Sequence, residues 1–135
     1  MSYFGTVIHS YSRADAIRDG VLVDLTTDFA DVCRDAGISV PVAATRSVFD
    51  RYIALTPSAT EMGCDTTGRA WDALYMFNMA CQGIGDVTPL GASSLLYKIA
   101  CVVDGHSAEE VQIKAVIGPG DDYSPVLTLM LPTED

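Results

Sequence analysis

After the glycine-containing stretch of residues 83–92, apolar side chains recur with the period of two that is typical of β-strands. Before this stretch, helical spacing alternates with short strand-like segments, and the longest helical segment directly precedes it. Asp104-Gly105 is a common turn sequence, and residues 118–122 (GPGDD) interrupt the later apolar segments. Three successive strands with short connections, an antiparallel meander, are therefore predicted at residues 95–103, 111–117 and 126–131.

Capping residues before the change of spacing indicate several short helices. We predict helices over residues 13–19, 28–36 and 47–55. The first begins after Ser10 or Ser12 and the second after Thr26 or Thr27, whose hydroxyls suit a helix N-terminus. The residues predicted to end the three helices are Gly20, Gly37 and Pro57.

The remaining N-terminal segments are predicted to be strands, a loop and one long helix. Residues 4–9 and 21–25 are strand-like, and residues 38–44 are extended, with Pro41 indicating a sheet edge or a bend. Residues 57–67 have the composition of a loop.

The long helix is predicted to run from Thr66 or Thr67 to about Gln82. It carries two apolar stripes: Trp71, Leu74, Tyr75 and Met79, and Ala70, Ala73, Phe77 and Ala80. A helix that is apolar on most sides is a buried one. The expected fold class is α+β in one compact domain, residues 1–135, with an N-terminal strand, short helices, one long buried helix and the C-terminal meander.

An excess of acidic side chains excludes two classes of partner. The chain has 18 Asp and Glu against 8 Lys and Arg, a formal net charge of −10. A nucleic-acid-binding module or a protein that docks on anionic lipid needs a basic face, so we expect neither partner. No apolar run is long enough for a membrane span, and the first residues lack the features of a secretory signal. We therefore expect a cytoplasmic protein of the host cell.

A third of the acidic residues lie between residues 15 and 35: Asp15, Asp19, Asp24, Asp28, Asp31 and Asp35. Asp15 and Asp19 fall on one face of the first predicted helix, and the last three on one face of the second. Like charges at this spacing repel, so we interpret the six as the binding surface for a basic protein groove. The alternative is a solvated face that keeps a small protein soluble.

Residues typical of catalytic or metal sites are few. The four cysteines are far apart and contain no CxxC pair, and only two histidines are present, so no metal and no cofactor is expected. Residues 9–22, which begin His-Ser-Tyr-Ser, are similar to the opening of ADP-ribosyltransferase-like folds. That resemblance implies a nicotinamide pocket at His9 and Tyr11, with Glu109 or Glu110 orienting the acceptor. The alternative is a strand–helix–strand unit in which His9 is hydrogen-bonded locally.

Two long motifs are more informative when they are taken together: VIHSYSRADAIRDGVLVDLT (residues 7–26) and KAVIGPGDDYSPVLTLMLPTED (residues 114–135). They resemble an uncharacterised family of small proteins, an unknown-function domain of bacterial plasmids, phages and integrative elements. PVAATRSVFD (residues 41–50) and GRAWDALYMF (residues 68–77) fit the same pattern. The resemblance implies a mobile genetic element as the source and supplies no catalytic residues.

Three hypotheses for function follow. The first is an anti-CRISPR-like inhibitor that binds a host defence protein or nucleoprotein complex without catalysis. The second is an NAD-dependent ADP-ribosyltransferase-like enzyme that modifies a host target. The third is a plasmid or phage maintenance protein that forms a homodimer through an exposed sheet edge.

Overall fold

The computed structural model describes residues 11–105 and 107–135. Its α-helices are α1 (Arg13–Arg18), α2 (Leu25–Asp28), α3 (Ala30–Asp35), α4 (Arg46–Val48), α5 (Pro57–Glu61) and α6 (Thr66–Cys81). A π-helical segment, Phe49–Ile53, directly continues α4. The strands are β1 (Leu22–Asp24), β2 (Val42–Thr45), β3 (Val87–Pro89), β4 (Ser94–Cys101), β5 (Glu109–Pro119) and β6 (Pro125–Met130). The strand predicted at residues 4–9 lies outside the described residues.

All of these strands belong to one six-stranded sheet in the order β1-β2-β6-β5-β4-β3. The predicted meander is confirmed as β4-β5-β6, with antiparallel pairing throughout. It is not a separate C-terminal sheet, however, because β2 adds to β6 in parallel and β1 adds to β2. The α+β class holds in this broader form, a mixed sheet with several short helices.

Strand β2 corrects the prediction of an edge or a bend. It lies between β1 and β6, so both of its sides are hydrogen-bonded. Pro41 is tolerated because it precedes the first paired residue, Val42, and contributes only its carbonyl, which accepts a hydrogen bond from Leu127 N at 2.8 Å. A proline at the start of a strand removes no hydrogen bond from the ladder.

Helix α1 is confirmed, with the Ser12 hydroxyl and the Asp15 carboxylate forming a reciprocal capping box. The second predicted helix starts earlier than expected, because the capping residue is Asp24, whose carboxylate accepts from Thr27 N at 3.1 Å. Thr26 does not cap it, because its hydroxyl accepts a hydrogen bond from Val42 N on β2. At Phe29 (φ −132°, ψ 44°) the backbone leaves the helical region and separates α2 from α3.

Helix α5 occupies part of the predicted loop, where Thr56 caps it and Pro57 stands at its start. The third predicted helix is confirmed as α4 with the π-helical segment. Helix α6 is confirmed in extent, but Asp65 caps it, and it buries one side only. Its other side carries Tyr75, which is 37% exposed and has Trp71 stacked on it. Helix α6 lies on one face of the sheet and has solvent on its far side.

The core lies between that sheet face and α6, α3 and the π-helical segment. The largest fully buried side chains include Tyr97, Ile113, Leu127 and Leu129 from the sheet and Leu74 from α6. The Tyr97 hydroxyl donates to the Ala73 carbonyl at 2.8 Å, which satisfies its polar group inside the core. Helix α1 packs on the opposite face of the sheet. No helix in the described part of the chain is long and apolar enough to cross a membrane.

Candidate interaction surface

Acidic and basic side chains differ sharply in exposure. All of them lie in the described part of the chain, and 15 of the 18 acidic side chains are exposed. The other three, Asp15, Asp24 and Glu134, are half-buried. Only four of the eight basic residues are exposed: Arg18, Arg34, Arg46 and Arg51. The exposed charged side chains therefore comprise 15 acids and four bases. Their net charge is −11, one negative charge more than the −10 of the whole chain.

Three of the other four basic residues donate hydrogen bonds to the main chain of the described residues, and the fourth, Lys98, pairs with an exposed carboxylate. Arg13 donates to Thr128 Oγ1 at 2.8 Å and to the Leu127 carbonyl at 2.9 Å. Lys114 donates to a main-chain oxygen near the C-terminus, and buried Arg69 donates to two main-chain carbonyls. Half-buried Lys98 pairs with Asp86 at 3.3 Å. Four bases and three acids are thus less than fully exposed, and the excess negative charge of the chain lies on the exposed surface.

Two of the six predicted binding residues are already engaged on α1. Asp15 accepts from Ser12 N at 3.3 Å and pairs with Arg18 at 2.9 Å. The hydrogen bond from the Ser12 backbone, followed by that from the Ser12 hydroxyl, lowers the pKa of Asp15. Asp19 accepts from the Tyr11 hydroxyl at 2.7 Å and from Arg18 at 3.2 Å. The hydrogen bond to Asp19 in turn raises the pKa of Tyr11.

The other four are divided between α2 and α3. Asp24 caps α2, whereas Asp28 makes no hydrogen bond or ion pair to the residues that the structure describes. Asp31 and Asp35 on α3 share a single cation, Arg34, at 3.1 and 3.5 Å. The expectation that Asp28, Asp31 and Asp35 share one face of a continuous helix is wrong, because the break at Phe29 intervenes. All three are nevertheless exposed, and we call them the acidic patch.

The structure also joins the two end motifs, a relation that the sequence analysis missed. The Asp121 carboxylate accepts from Arg13 N at 2.8 Å and from Ala14 N at 3.0 Å, the unpaired N–H groups of the first turn of α1. Arg13 reaches back to β6 by the hydrogen bonds given above. The paired residues are more than 100 positions apart, so no local pattern could have revealed their contact.

We expect Asp121→Ala to lower the free energy of unfolding by about 1–2 kcal/mol, as the loss of a helix-capping side chain does. Two backbone donors at the start of α1 would lose their partner. Chemical denaturation measures the change. Asp104→Ala, which removes another exposed carboxylate, is the control and should change stability by less than about 0.5 kcal/mol. Equal effects of the two substitutions would contradict the capping role.

The residues considered for catalysis are not brought together where they are described. Tyr11 is 60% exposed and lines a cavity of about 620 Å³ with Asp19 and Arg46, but neither Glu109 nor Glu110 lines it. His9 lies outside the described residues. Within residues 11–105 and 107–135, no group of three or more His, Cys, Asp or Glu side chains could hold a metal ion.

The cysteines are all free thiols. Cys33 and Cys101 are buried, Cys64 is half-buried and Cys81 is exposed. Burial raises the pKa of Cys33 and Cys101, and partial desolvation of its thiol raises the pKa of Cys81 although that residue is exposed; both effects disfavour the reactive thiolate.

Comparison with known proteins gives one match. The model of a family of unknown function, DUF6573, matches residues 1–135. No curated protein and no solved structure matches the chain. The match agrees with the prediction of an uncharacterised family, while the link to mobile elements stays a prediction. The chain therefore belongs to the family of unknown function DUF6573.

Proposed function

We propose that this protein acts by binding a basic protein surface, without catalysis. The observation that carries the proposal is the sign of the exposed charge. Fifteen exposed acidic side chains face solvent with only four exposed basic ones, and the other four basic residues are buried or half-buried. A surface of one sign speeds the approach of an oppositely charged partner and repels like-charged ones.

The acidic patch is the part of this surface best suited to direct contact. Asp28 is unpaired among the described residues, and Asp31 and Asp35 share one arginine, so the patch retains net negative charge. By contrast, Asp24 is committed to capping α2. A partner's Lys or Arg side chains can pair with the patch without disrupting a helix cap.

The partner proposed is a nucleic-acid-handling protein or complex of a host defence system, as for an anti-CRISPR-like inhibitor. Such proteins present basic channels that hold phosphates, and an acidic surface can compete for those channels. The support is the charge of this surface together with the mobile-element resemblance of the two end motifs. That resemblance suggests only the genetic setting of the protein. It is the reason for choosing this class of partner, and it identifies no contact residues.

The test is capture of partners from a bacterial host lysate on the immobilised protein, followed by mass spectrometry and an affinity measurement with the captured protein. We expect a basic protein or nucleoprotein complex whose binding weakens steeply as salt rises. The combined substitution Asp28→Asn, Asp31→Asn and Asp35→Asn should weaken binding about tenfold, since each exposed ion pair contributes about 0.5 kcal/mol.

A matched control removes the same charge elsewhere. Asp104→Asn, Glu109→Gln and Glu110→Gln together neutralise three exposed carboxylates outside the acidic patch, in and beside β5. This variant should lose less than about threefold in affinity, through long-range attraction alone. Equal losses in both variants would contradict a role for the acidic patch. Failure to capture any basic partner, or a gain of mass on the partner after incubation with NAD, would contradict non-catalytic binding.

A further inference from the structure

A second site is indicated by the environment of Arg69 on α6. Its side chain is 5% exposed, an unusual position for a cation that has no ion pair among the described residues. One terminal nitrogen donates to the Val102 carbonyl and the other to the Arg51 carbonyl, both at 2.8 Å. The third nitrogen, Nε, is buried, and its N–H has no hydrogen-bond partner among the residues described.

Arg69 lines a small cavity near the N-terminal end of α6. The cavity has a volume of about 190 Å³ and is also lined by Tyr52, Cys64, Asp72 and Cys101. About six water molecules occupy this volume in liquid water, so the cavity is large enough for a small organic or inorganic anion. A buried guanidinium without an ion pair and with a free donor is stabilised by an acceptor that also carries negative charge.

The backbone beside the cavity is unusual as well. Arg51 and Tyr52 belong to the π-helical segment, in which Ala54 N bonds to the Phe49 carbonyl at 2.7 Å. Such segments are rare and occur frequently at functional sites. Here the segment directs the Arg51 carbonyl at the Arg69 side chain, which holds the guanidinium in place.

We propose that the cavity at Arg69 binds a small oxyanion, either a carboxylate or an inorganic phosphate, that accepts a hydrogen bond from Nε–H. Both probes share the chemistry of a charged oxygen acceptor that matches a guanidinium. Asp72, an exposed residue that also lines the cavity, interacts electrostatically with Arg69 without forming an ion pair and opposes a bound anion by charge repulsion. The site shares no residue with the acidic patch, so it is independent of the proposed partner binding.

The test is titration of the full-length protein with acetate and, separately, with inorganic phosphate at constant ionic strength. The signal followed is the ¹H–¹⁵N resonance of Arg69 Nε–H. We expect a saturable shift with one or both anions. Saturation by acetate alone identifies a carboxylate site, and saturation by phosphate alone identifies an inorganic oxyanion site. An unchanged resonance with both anions would overturn the proposal.

Two variants with opposite expected effects make the test independent of any loss of stability. Asp72→Asn should tighten anion binding by about threefold, because it removes the repelling charge from an exposed position. Arg69→Lys keeps the charge but lacks the donor geometry and the observed Nε–H, so its titration is followed at the backbone N–H resonance of Cys101, which also lines the cavity. This variant should weaken binding at least tenfold. Asp86→Asn, at an exposed carboxylate outside the cavity, is the control and should leave the affinity unchanged. Weaker binding in Asp72→Asn would show that the cavity does not hold an anion.

Discussion

Replacing Leu127 by alanine is expected to lower the free energy of unfolding by about 3–5 kcal/mol. Leu127 is 0% exposed and belongs to the main hydrophobic cluster. It lies on β6 opposite Val42 of β2 on one side and Ile117 of β5 on the other. Truncation there leaves a cavity at the centre of the sheet, where neighbours paired on both sides cannot collapse to fill it.

Urea denaturation at low temperature measures this loss even if the variant is largely unfolded at 37 °C. The control is Leu90→Ala, which removes the same atoms from a side chain that is 49% exposed. The control should cost less than about 1 kcal/mol, since most of that leucine already contacts water. Similar costs at the two positions would mean that β6 is not the centre of the core.

Gly37→Ala is expected to cost about 2–3 kcal/mol, although it adds a single methyl group. Gly37 follows α3 with φ +82°, a conformation that strains any L-residue with a side chain. A Cβ at this position would also meet Asn78 Nδ2 at 2.8 Å. That amide donates to the Ala36 carbonyl at 2.9 Å, so relieving the clash means losing a hydrogen bond between α6 and the end of α3.

Gly63 supplies a matched control for the backbone strain. It has φ +81°, but a Cβ there would have no atom within 4 Å, so Gly63→Ala should cost only about 1 kcal/mol. In an Asn78→Ala background the cost of Gly37→Ala should fall to the same value, since the clash is gone. A cost of Gly37→Ala that is unchanged by Asn78→Ala would assign the whole effect to backbone strain.

Local signals in the sequence predicted the elements that local physics controls. The Ser12 cap and Gly20 bracket α1, and the period of two together with the Asp104-Gly105 turn predicts the hairpin of β4 and β5. These features depend on residues that are close in sequence, where a cap or a turn is decided within a few positions.

The predictions of helix caps and strand edges failed where the local sequence allowed two arrangements. Thr26 and Asp24 can both cap the second helix, and the choice depends on β2, whose Val42 N–H engages the Thr26 hydroxyl. Pro41 is typical of a sheet edge, yet β2 is internal because it pairs with both β1 and β6, and Pro41 is tolerated because the strand begins one residue later. In each case the deciding contact comes from a distant segment.

For the candidate sites, too, composition was predictable from the sequence, whereas the burial and pairing of individual charges were not. The net charge of −10 follows from composition alone, but which charges reach solvent does not. Arg69 resembles any other polar residue at the start of a helix, and only the packing of α6 against β4 and the π-helical segment buries it. Its unpaired Nε–H therefore has no signature in the sequence.

The sequence by itself determined α1 with its Ser12 cap, the extent of α6, the three-stranded meander and the acidic character of the chain. Only the tertiary structure decided that β2 lies parallel to β6, that Asp121 caps α1, and that four of eight cations are withdrawn from the exposed surface. The reason is physical. Caps, turns and hydrophobic periods involve neighbouring residues, whereas the parallel pairing and the Asp121 cap join segments about 85 to 110 residues apart, and burial of a cation depends on everything packed around it.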